Sequence, residues 1–480
     1  MNLVVIVSDT FRWDYIGAYG NEWIKTPNLD ALAAESAIFM DAYAEGLPTI
    51  PVRRVLMTGR PIFPFAHHAQ PSDSVQLPGW HPLFDEDVTL SETLREHDYV
   101  SCFVNDVYHM MKPGKNFHRG FDCWYWIRGQ EGDPYALRDE GRIAELLEEA
   151  TPYQRHVGRG AWIVQHLMNR KDWETDGDTS VAQCMRKAAD WLRDYTLENP
   201  FYLHVECFDP HEPWDPPLEY AREYDADYSG LDGLVPPGLT SQMTEQQASR
   251  TKTAYAAEVT LVDRWVGHLV DTLRDLGRMD DTLIVFTSDH GCMMGEQGQV
   301  HKGQDRLRNQ CTQLPLLIRH PRGEAAGQRV RGFVQHQDIM PTALALMGIE
   351  GPDRMLGADV WPLATGATSE APRDTAVSAF GRFACVRNAR WNYVTPWMEL
   401  PEGQQKGPEL YDLAADPEEL TNIVADHPAE AKKLHEQLAA HMEEYATITQ
   451  GSLGPGTTVA AETSTLMSFD ALPALEADRS

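Results

Sequence analysis

Three short apolar runs that each end in ionisable residues constrain this chain's fold more than any other feature. Leu3 to Val7 (LVVIV) runs into Ser8-Asp9-Thr10. Phe201 to Phe208 (FYLHVECF) runs into Asp209-Pro210-His211, and Thr282 to Phe286 (TLIVF) into Thr287-Ser288-Asp289-His290-Gly291. Short runs rich in β-branched and aromatic residues, bounded by turn residues, read as strands buried on both faces. Residues 314 to 318 (LPLLI) read the same way. Between these runs lie amphipathic stretches at 180–197 and 246–276; in the second, Val259, Val262, Val266, Leu269, Val270 and Leu273 recur at helical spacing. Alternating strands and helices predict an α/β fold, with a large mixed, mostly parallel sheet sandwiched by helices. Ligands collect at the carboxyl ends of such strands. Asp9, His211, Asp289 and His290 all fall at such ends. Any one of them alone also suits an ordinary strand-terminating turn; three on one sheet edge point to a site.

The remaining text divides the chain. Residues 212–245, rich in Pro, Tyr and Asp, read as a long surface excursion. Strand-like text at 383–387 and 391–394, then a helix from about Ala429 to Tyr445, predicts a smaller C-terminal α+β subdomain. The expected organisation is a catalytic α/β domain over 1–375, the α+β subdomain over 376–448 and a tail over 449–480. Charge narrows the partners. Lys and Arg number 41 against 72 Asp and Glu, a formal charge of -31. That excludes a nucleic-acid partner and a polybasic membrane attachment. An enzyme handling anions with this charge must gather cations or metal in its cleft. The 7 cysteines are scattered, with no C-x-x-C pair, so neither a disulfide framework nor structural zinc is expected. No apolar run reaches the ~18 residues of a membrane span. The first run lacks a basic flank and a cleavage site, and a cytoplasmic protein is expected.

The site chemistry builds up in pieces. Asp9, Asp289 and His290 are metal-ligand types, and two Asp with one His suit Mn²⁺, Zn²⁺ or Ca²⁺. In the segment 46–60 (GLPTIPVRRVLMTGR), Thr49 is expected as a helix N-cap, Pro51 in the first turn and Gly59 as the stop. A hydroxyl at a helix N-terminus sits where an anion is favoured. Arg53, one turn on, is expected to pair with that hydroxyl or with an anion beside it. His211 and Lys302 follow strands already implicated.

With these motifs in order, the chain resembles the sulfatase family of the alkaline phosphatase superfamily over about residues 1–425. The text carrying the resemblance starts with LVVIVSDTFRWDYIGAYGN, TPNLDALAAESAIFMDAYA and the L-M-T-G-R that ends the 46–60 segment. It continues through DPHEPWDPP, DDTLIVFTSDHG, the H-K-G step at 301–303 and QLPLLIRHP. VQHQDIMPTALALMGIE and ELYDLAADPEELTNI complete it. The resemblance implies a hydrolase of small-molecule sulfate- or phosphate-type esters. It implies one divalent metal ion on Asp9, Asp289 and His290, a nucleophile at Thr49 supported by Arg53, and His211 and Lys302 acting on the transferred group and leaving oxygen. Tyr108 and His301 are candidate substrate-binding residues. Specificity is expected from 62–90, 212–245 and the tail; assembly as a homo-oligomer stays open.

Three departures stand out. Family sulfatases carry Cys or Ser, converted to formylglycine, where this chain has Thr49. A second acidic ligand of many members falls at Thr10. Their Gly-Lys-Trp-His step is here Asn105-Asp106-Val107-Tyr108. The phosphonate monoester hydrolase branch resembles this chain in lacking some of those groups, and a Thr nucleophile occurs in the nucleotide pyrophosphatase/phosphodiesterase branch. Three readings remain: a sulfate-type ester hydrolase acting through Thr49, a phosphodiester or phosphonate monoester hydrolase, and a catalytically inactive anion-binding protein on this scaffold.

Overall fold

The structure is a computed structural model that describes residues 1–69, 75–137, 139, 141–142, 145, 160–229, 234–404, 406–453 and 466–472. The strand Asn2–Ser8 is buried along its whole length in the middle of an eight-stranded sheet. Across that sheet the strands run Arg329–Val330, Ala37–Phe39, Leu316–Arg319, Thr282–Ser288, Asn2–Ser8, Phe201–Cys207, Val100–Asn105 and Cys123–Trp126. The last five are mutually parallel. Leu316–Arg319 is antiparallel to both its neighbours, which makes the sheet mixed.

Side-chain alternation explains why the first run is apolar throughout. Leu3, Val5 and Val7 enter a core with Val52 and Leu56 of the helix Thr49–Thr58 and Ile339 and Ala343 of the helix Ile339–Met347. Val4 and Ile6 enter the opposite core, with Val181 and Met185 of Ser180–Asp194 and Val259 and Val262 of Glu245–Asp275. Each fully buried Val or Leu contributes about 1.5–3 kcal/mol. Both long helices start at a threonine whose side chain accepts a backbone N–H, Thr179 from Ala182 and Thr244 from Gln247.

A second sheet has the order Glu409–Asp412, Trp391–Pro396, Phe383–Arg387, Ala376–Phe380 and Gly46–Leu47. Its last strand comes from the segment just ahead of Thr49 and pairs in parallel with Ala376–Phe380. The helix Pro428–Tyr445 lays Ala431, Leu434, Leu438 and Met442 against Val386 and Tyr393.

Residues 212–245 depart from a surface excursion: Trp214, Leu234 and Val235 are buried, and the Trp214 indole donates to the Pro210 carbonyl at 2.9 Å. Residues 230–233 lie outside the described residues, as do 70–74 of the 62–90 loop. Of the tail, 449–453 packs on the 62–90 segment, where the Thr449 hydroxyl donates to the Pro64 carbonyl and the Ser452 N–H to Glu86, both at 2.8 Å. His435 bonds the Met467 carbonyl at 2.9 Å; residues 454–465 and 473–480 lie outside the described residues. All seven cysteines are free thiols. Among the described residues no helix is long and apolar enough to cross a membrane.

Glu45 ties the segment before Thr49 to the next loop, accepting the Ile62 and Phe63 N–H groups at 3.1 and 2.9 Å. Burial pushes its carboxyl from 4.5 to about 7, against those two donors. A raised folded-state pKa contributes stability that is complete below pH 4.5 and lost as pH rises through about 7. The loss amounts to about 3 kcal/mol. Glu45→Gln, which cannot ionise but gives up one of the two acceptors, should flatten that part of the stability–pH curve. Parallel curves for the two proteins from pH 4 to 8 would exclude Glu45 as the source.

Candidate active site and metal centre

Strand register brings the ionisable residues together. Ser8 pairs with Ser288 on one side and Cys207 on the other. The next residues, Asp9 and Asp289, therefore leave the sheet side by side, with the Asp209-Pro210-His211 turn following the third strand. Thr10 follows Asp9 in the left-handed region, at φ 61°, a conformation costly for a β-branched residue. It lets the Thr10 N–H donate to Asp289 Oδ1 at 2.8 Å while its hydroxyl donates to Asp9 Oδ1 at 2.7 Å. Thr10 thus orients both carboxylates. The His290 N–H also donates to Asp289 Oδ1, at 2.7 Å. Gly291 permits the turn, since a Cβ there would lie 2.1 Å from the Gln310 carbonyl oxygen.

The helix Thr49–Thr58 brings the hydroxyl. Thr49 is its first residue and makes no side-chain cap; Pro48 occupies the N-cap. The expected capping role is therefore corrected. The hydroxyl instead donates to Asp9 Oδ2 at 3.3 Å, because the strand end lies opposite this helix terminus. Gly59 ends the helix at φ 63°, as expected, its N–H donating to Val55. Arg53 takes the second of its two expected partners, an anion beside the Thr49 hydroxyl: Asp9, which accepts from Thr49, lies 3.1 Å from Nη2. Its guanidinium is fully buried and pairs with three carboxylates rather than with the Thr49 hydroxyl. Nε bonds Glu206 at 2.8 Å, Nη2 lies 3.1 Å from Asp9, and Nη1 bonds Asp289. An apolar strand and helix surround it, and these carboxylates are the anions within its reach.

A second group stands beside the first. His211 Nδ1 donates to the Glu212 carbonyl at 2.6 Å, leaving Nε2 to accept from the Lys302 ammonium at 2.6 Å. The ring stacks on Phe208 at 4.0 Å between centroids. Lys302 keeps 14% of its side chain exposed and lies 3.6 Å from the Glu212 carboxylate. His301 Nε2 bonds the Pro236 carbonyl at 2.8 Å, and its ring stacks on Trp214. Tyr108 is buried in the short helix Tyr108–Met111, against His109 at 4.1 Å between rings. His109 in turn bonds Glu131 at 3.1 Å.

Sequence reasoning did not single out Glu206, Glu212 or His109. Glu206 had a signal: a carboxylate within a run buried on both faces needs a partner. Glu212 and His109 had only adjacency to His211 and Tyr108.

The electrostatics follow from burial and pairing. Burial is the largest effect on Asp9 and Glu206 and opposes their ionisation, but Arg53 and the neighbouring basic groups together outweigh it, and both are held below the usual carboxylate range. Glu212 is likewise lowered, by His211 and Lys302 against burial. Lys302 is raised: burial works against its charge, and Glu212 and Asp9 outweigh it. Burial lowers His290, favouring the neutral ring. Its Nδ1 bonds the Gly291 carbonyl at 3.0 Å, which leaves the Nε2 lone pair facing the carboxylates. That Nε2 is buried and has no hydrogen-bond partner among the described residues. One ligand atom each from Asp9, Asp289 and His290 lies within 4.8 Å of the others. Two carboxylates and an orphaned imidazole nitrogen at this spacing fit a divalent cation.

A family model for sulfatase matches residues 1–349, and one for the N-sulphoglucosamine sulphohydrolase C-terminal region matches 295–447. Among curated relatives, the uncharacterized sulfatase YidJ of Escherichia coli (strain K12) is 27% identical over 467 residues, covering 92% of this chain and 87% of that protein. An arylsulfatase of Clostridium perfringens is 26% identical over 458 residues, covering 88% of this chain and 90% of that protein. Among solved structures, the phosphonate monoester hydrolase of Agrobacterium radiobacter shares the fold with a TM-score of 0.70 at 22% identity, covering 96% of this chain and 99% of that one.

Proposed function

The chain belongs to the sulfatase family of ester hydrolases, and we propose that it cleaves sulfate-type esters through the hydroxyl of Thr49, with Asp9, Asp289 and His290 holding one divalent cation. The observation that carries this reading is the Thr49 hydroxyl 3.3 Å from Asp9 Oδ2, at a helix N-terminus and beside the orphaned His290 nitrogen. A divalent cation held there supplies charge that acidifies a neighbouring hydroxyl and offsets charge growing on the transferred group.

The chain's own residues account for the rest. Asp9 accepts the Thr49 hydrogen bond and aims the oxygen. Attack forms a bond from Thr49 Oγ1 to sulfur as the bond to the leaving oxygen breaks, and the hydroxyl proton leaves along its hydrogen bond to Asp9 Oδ2. The leaving oxygen takes a proton from the Lys302–His211 pair, whose nitrogens lie 2.6 Å apart and on the accessible side of the site. Water then attacks the sulfur of the Thr ester and gives a proton back to the Lys302–His211 pair, sulfate is released, and the proton held at Asp9 returns to Thr49 Oγ1, restoring the hydroxyl. Arg53 lies behind these groups and fixes the carboxylates. Tyr108 and His301 are the substrate-binding residues of this proposal.

Thr49 itself supports a second reading, a phosphodiester or phosphonate monoester substrate. A plain Thr ester lacks the hemiacetal route by which formylglycine expels sulfate, so phosphorus chemistry suits an unmodified hydroxyl. The fold shared with a phosphonate monoester hydrolase agrees with this. The deciding experiment offers nitrophenyl sulfate, bis(nitrophenyl) phosphate and nitrophenyl phenylphosphonate to the protein with Mn²⁺, Ca²⁺ or Zn²⁺, then repeats each assay after chelation. Turnover of the sulfate ester, lost on chelation and restored by cation, is expected. Turnover of phosphorus esters alone would transfer the assignment to the second reading. Cation uptake with no turnover on any of them would favour the inactive anion-binding protein.

A further inference from the structure

Glu206 lies among buried charges whose sum is informative. Arg53, Asp9, Asp289 and Glu206 all have side chains with no solvent exposure. Three carboxylates face one guanidinium, Lys302 and Glu212 beside them offset each other at 3.6 Å, and His290, whose Nδ1 donates to the Gly291 carbonyl and whose Nε2 is unpaired, is counted as neutral, so the set carries two excess negative charges. A buried excess of that size costs several kcal/mol unless something cancels it. A divalent cation on Asp9, Asp289 and His290 cancels it completely, but only with Glu206 counted. Without Glu206, the same cation leaves one buried positive charge unmatched.

Glu206 is not placed as a ligand. Its Oε2 accepts from Arg53 Nε at 2.8 Å and its Oε1 from His204 Nε2 at 2.9 Å, with the Tyr202 hydroxyl behind His204 at 2.8 Å. Both oxygens are therefore engaged from inside the sheet. The Arg53 bond does a second thing. Gripping Nε fixes the guanidinium plane, whose remaining nitrogens reach Asp9 and Asp289. With that grip released, only the two ligand carboxylates would hold Arg53, and its plane would no longer be fixed from inside the sheet.

We propose that Glu206 is a positioning residue of the cation site: it brings the buried charge to zero when a divalent cation is bound and fixes the plane in which Arg53 meets the two ligand carboxylates. This rests on the cation reading given above. Glu206→Gln keeps the shape and removes the charge. Its cation-free form should melt at the parent's temperature or higher, because one excess buried charge is gone. Its affinity for Mn²⁺, by titration calorimetry, should fall by about tenfold or more, and the rise in melting temperature on adding Mn²⁺ should shrink. A merely structural role would instead lower the melting temperature of the cation-free form. Glu206→Asp keeps the charge but draws it back by one methylene. It should bind Mn²⁺ within about threefold of the parent, while kcat falls and KM holds, because Arg53 has shifted. Equal Mn²⁺ affinity in the parent and Glu206→Gln would overturn this inference alone. So would loss of affinity in Glu206→Asp as deep as in Glu206→Gln, a test that stands even if Glu206→Gln does not fold. A parent protein that takes up no divalent cation would overturn the cation reading, and this inference with it.

Discussion

Thr49→Ala is expected to cut hydrolysis by about a thousandfold or more, the scale seen when a covalent nucleophile is removed, while leaving divalent-cation uptake intact. The hydroxyl is 3.3 Å from Asp9 Oδ2 and 3% of the residue is exposed, so it is already aimed and shielded. Asp9, Asp289 and His290 provide the candidate ligands without it. Thr49→Ser should keep part of the activity, since it retains the oxygen and loses only the methyl that restricts its rotamer. Peptide mapping should find an unmodified threonine, because oxidising a secondary alcohol gives a ketone and not an aldehyde. Turnover by Thr49→Ala at the parent rate would mean that water attacks directly, and the covalent scheme would fail.

Arg53→Ala should destabilise the cation-free protein by about 3–5 kcal/mol, the usual consequence of stranding buried charge. The guanidinium is fully buried and serves Asp9, Glu206 and Asp289 together. Its removal leaves three negative charges in one place. Mn²⁺ should recover part of the lost stability, since it offsets two of the three. Denaturant titrations with and without Mn²⁺ measure both effects. A cation-free variant as stable as the parent would show that the carboxylates are not ionised there. Arg53→Lys should fall between the two, as a single ammonium cannot hold three carboxylates in the fork geometry of a guanidinium.

Much of this protein is legible in the amino-acid order. A strand covered on both faces is apolar at most positions, so LVVIV, FYLHV and TLIVF announce the middle of the sheet, and the residues that follow each run must emerge at one edge. That logic reaches Asp9, His211, Asp289 and His290. Helical periodicity likewise places Ser180–Asp194, Glu245–Asp275 and Pro428–Tyr445 to within a few residues. Local text does not specify partners that lie far apart along the chain. That the Thr49 hydroxyl turns to Asp9 and not to its own helix depends on which strand end faces that helix. That Arg53 finds Glu206, 153 residues away, depends on the pairing of Asn2–Ser8 with Phe201–Cys207. The orphaned nitrogen of His290 exists only because the Gly291 carbonyl takes the other one. Hydrophobic pattern determines which residues go inside; which buried charges then meet is decided by strand register and helix placement, because the cost of burying a charge is settled only by the partners that packing brings to it.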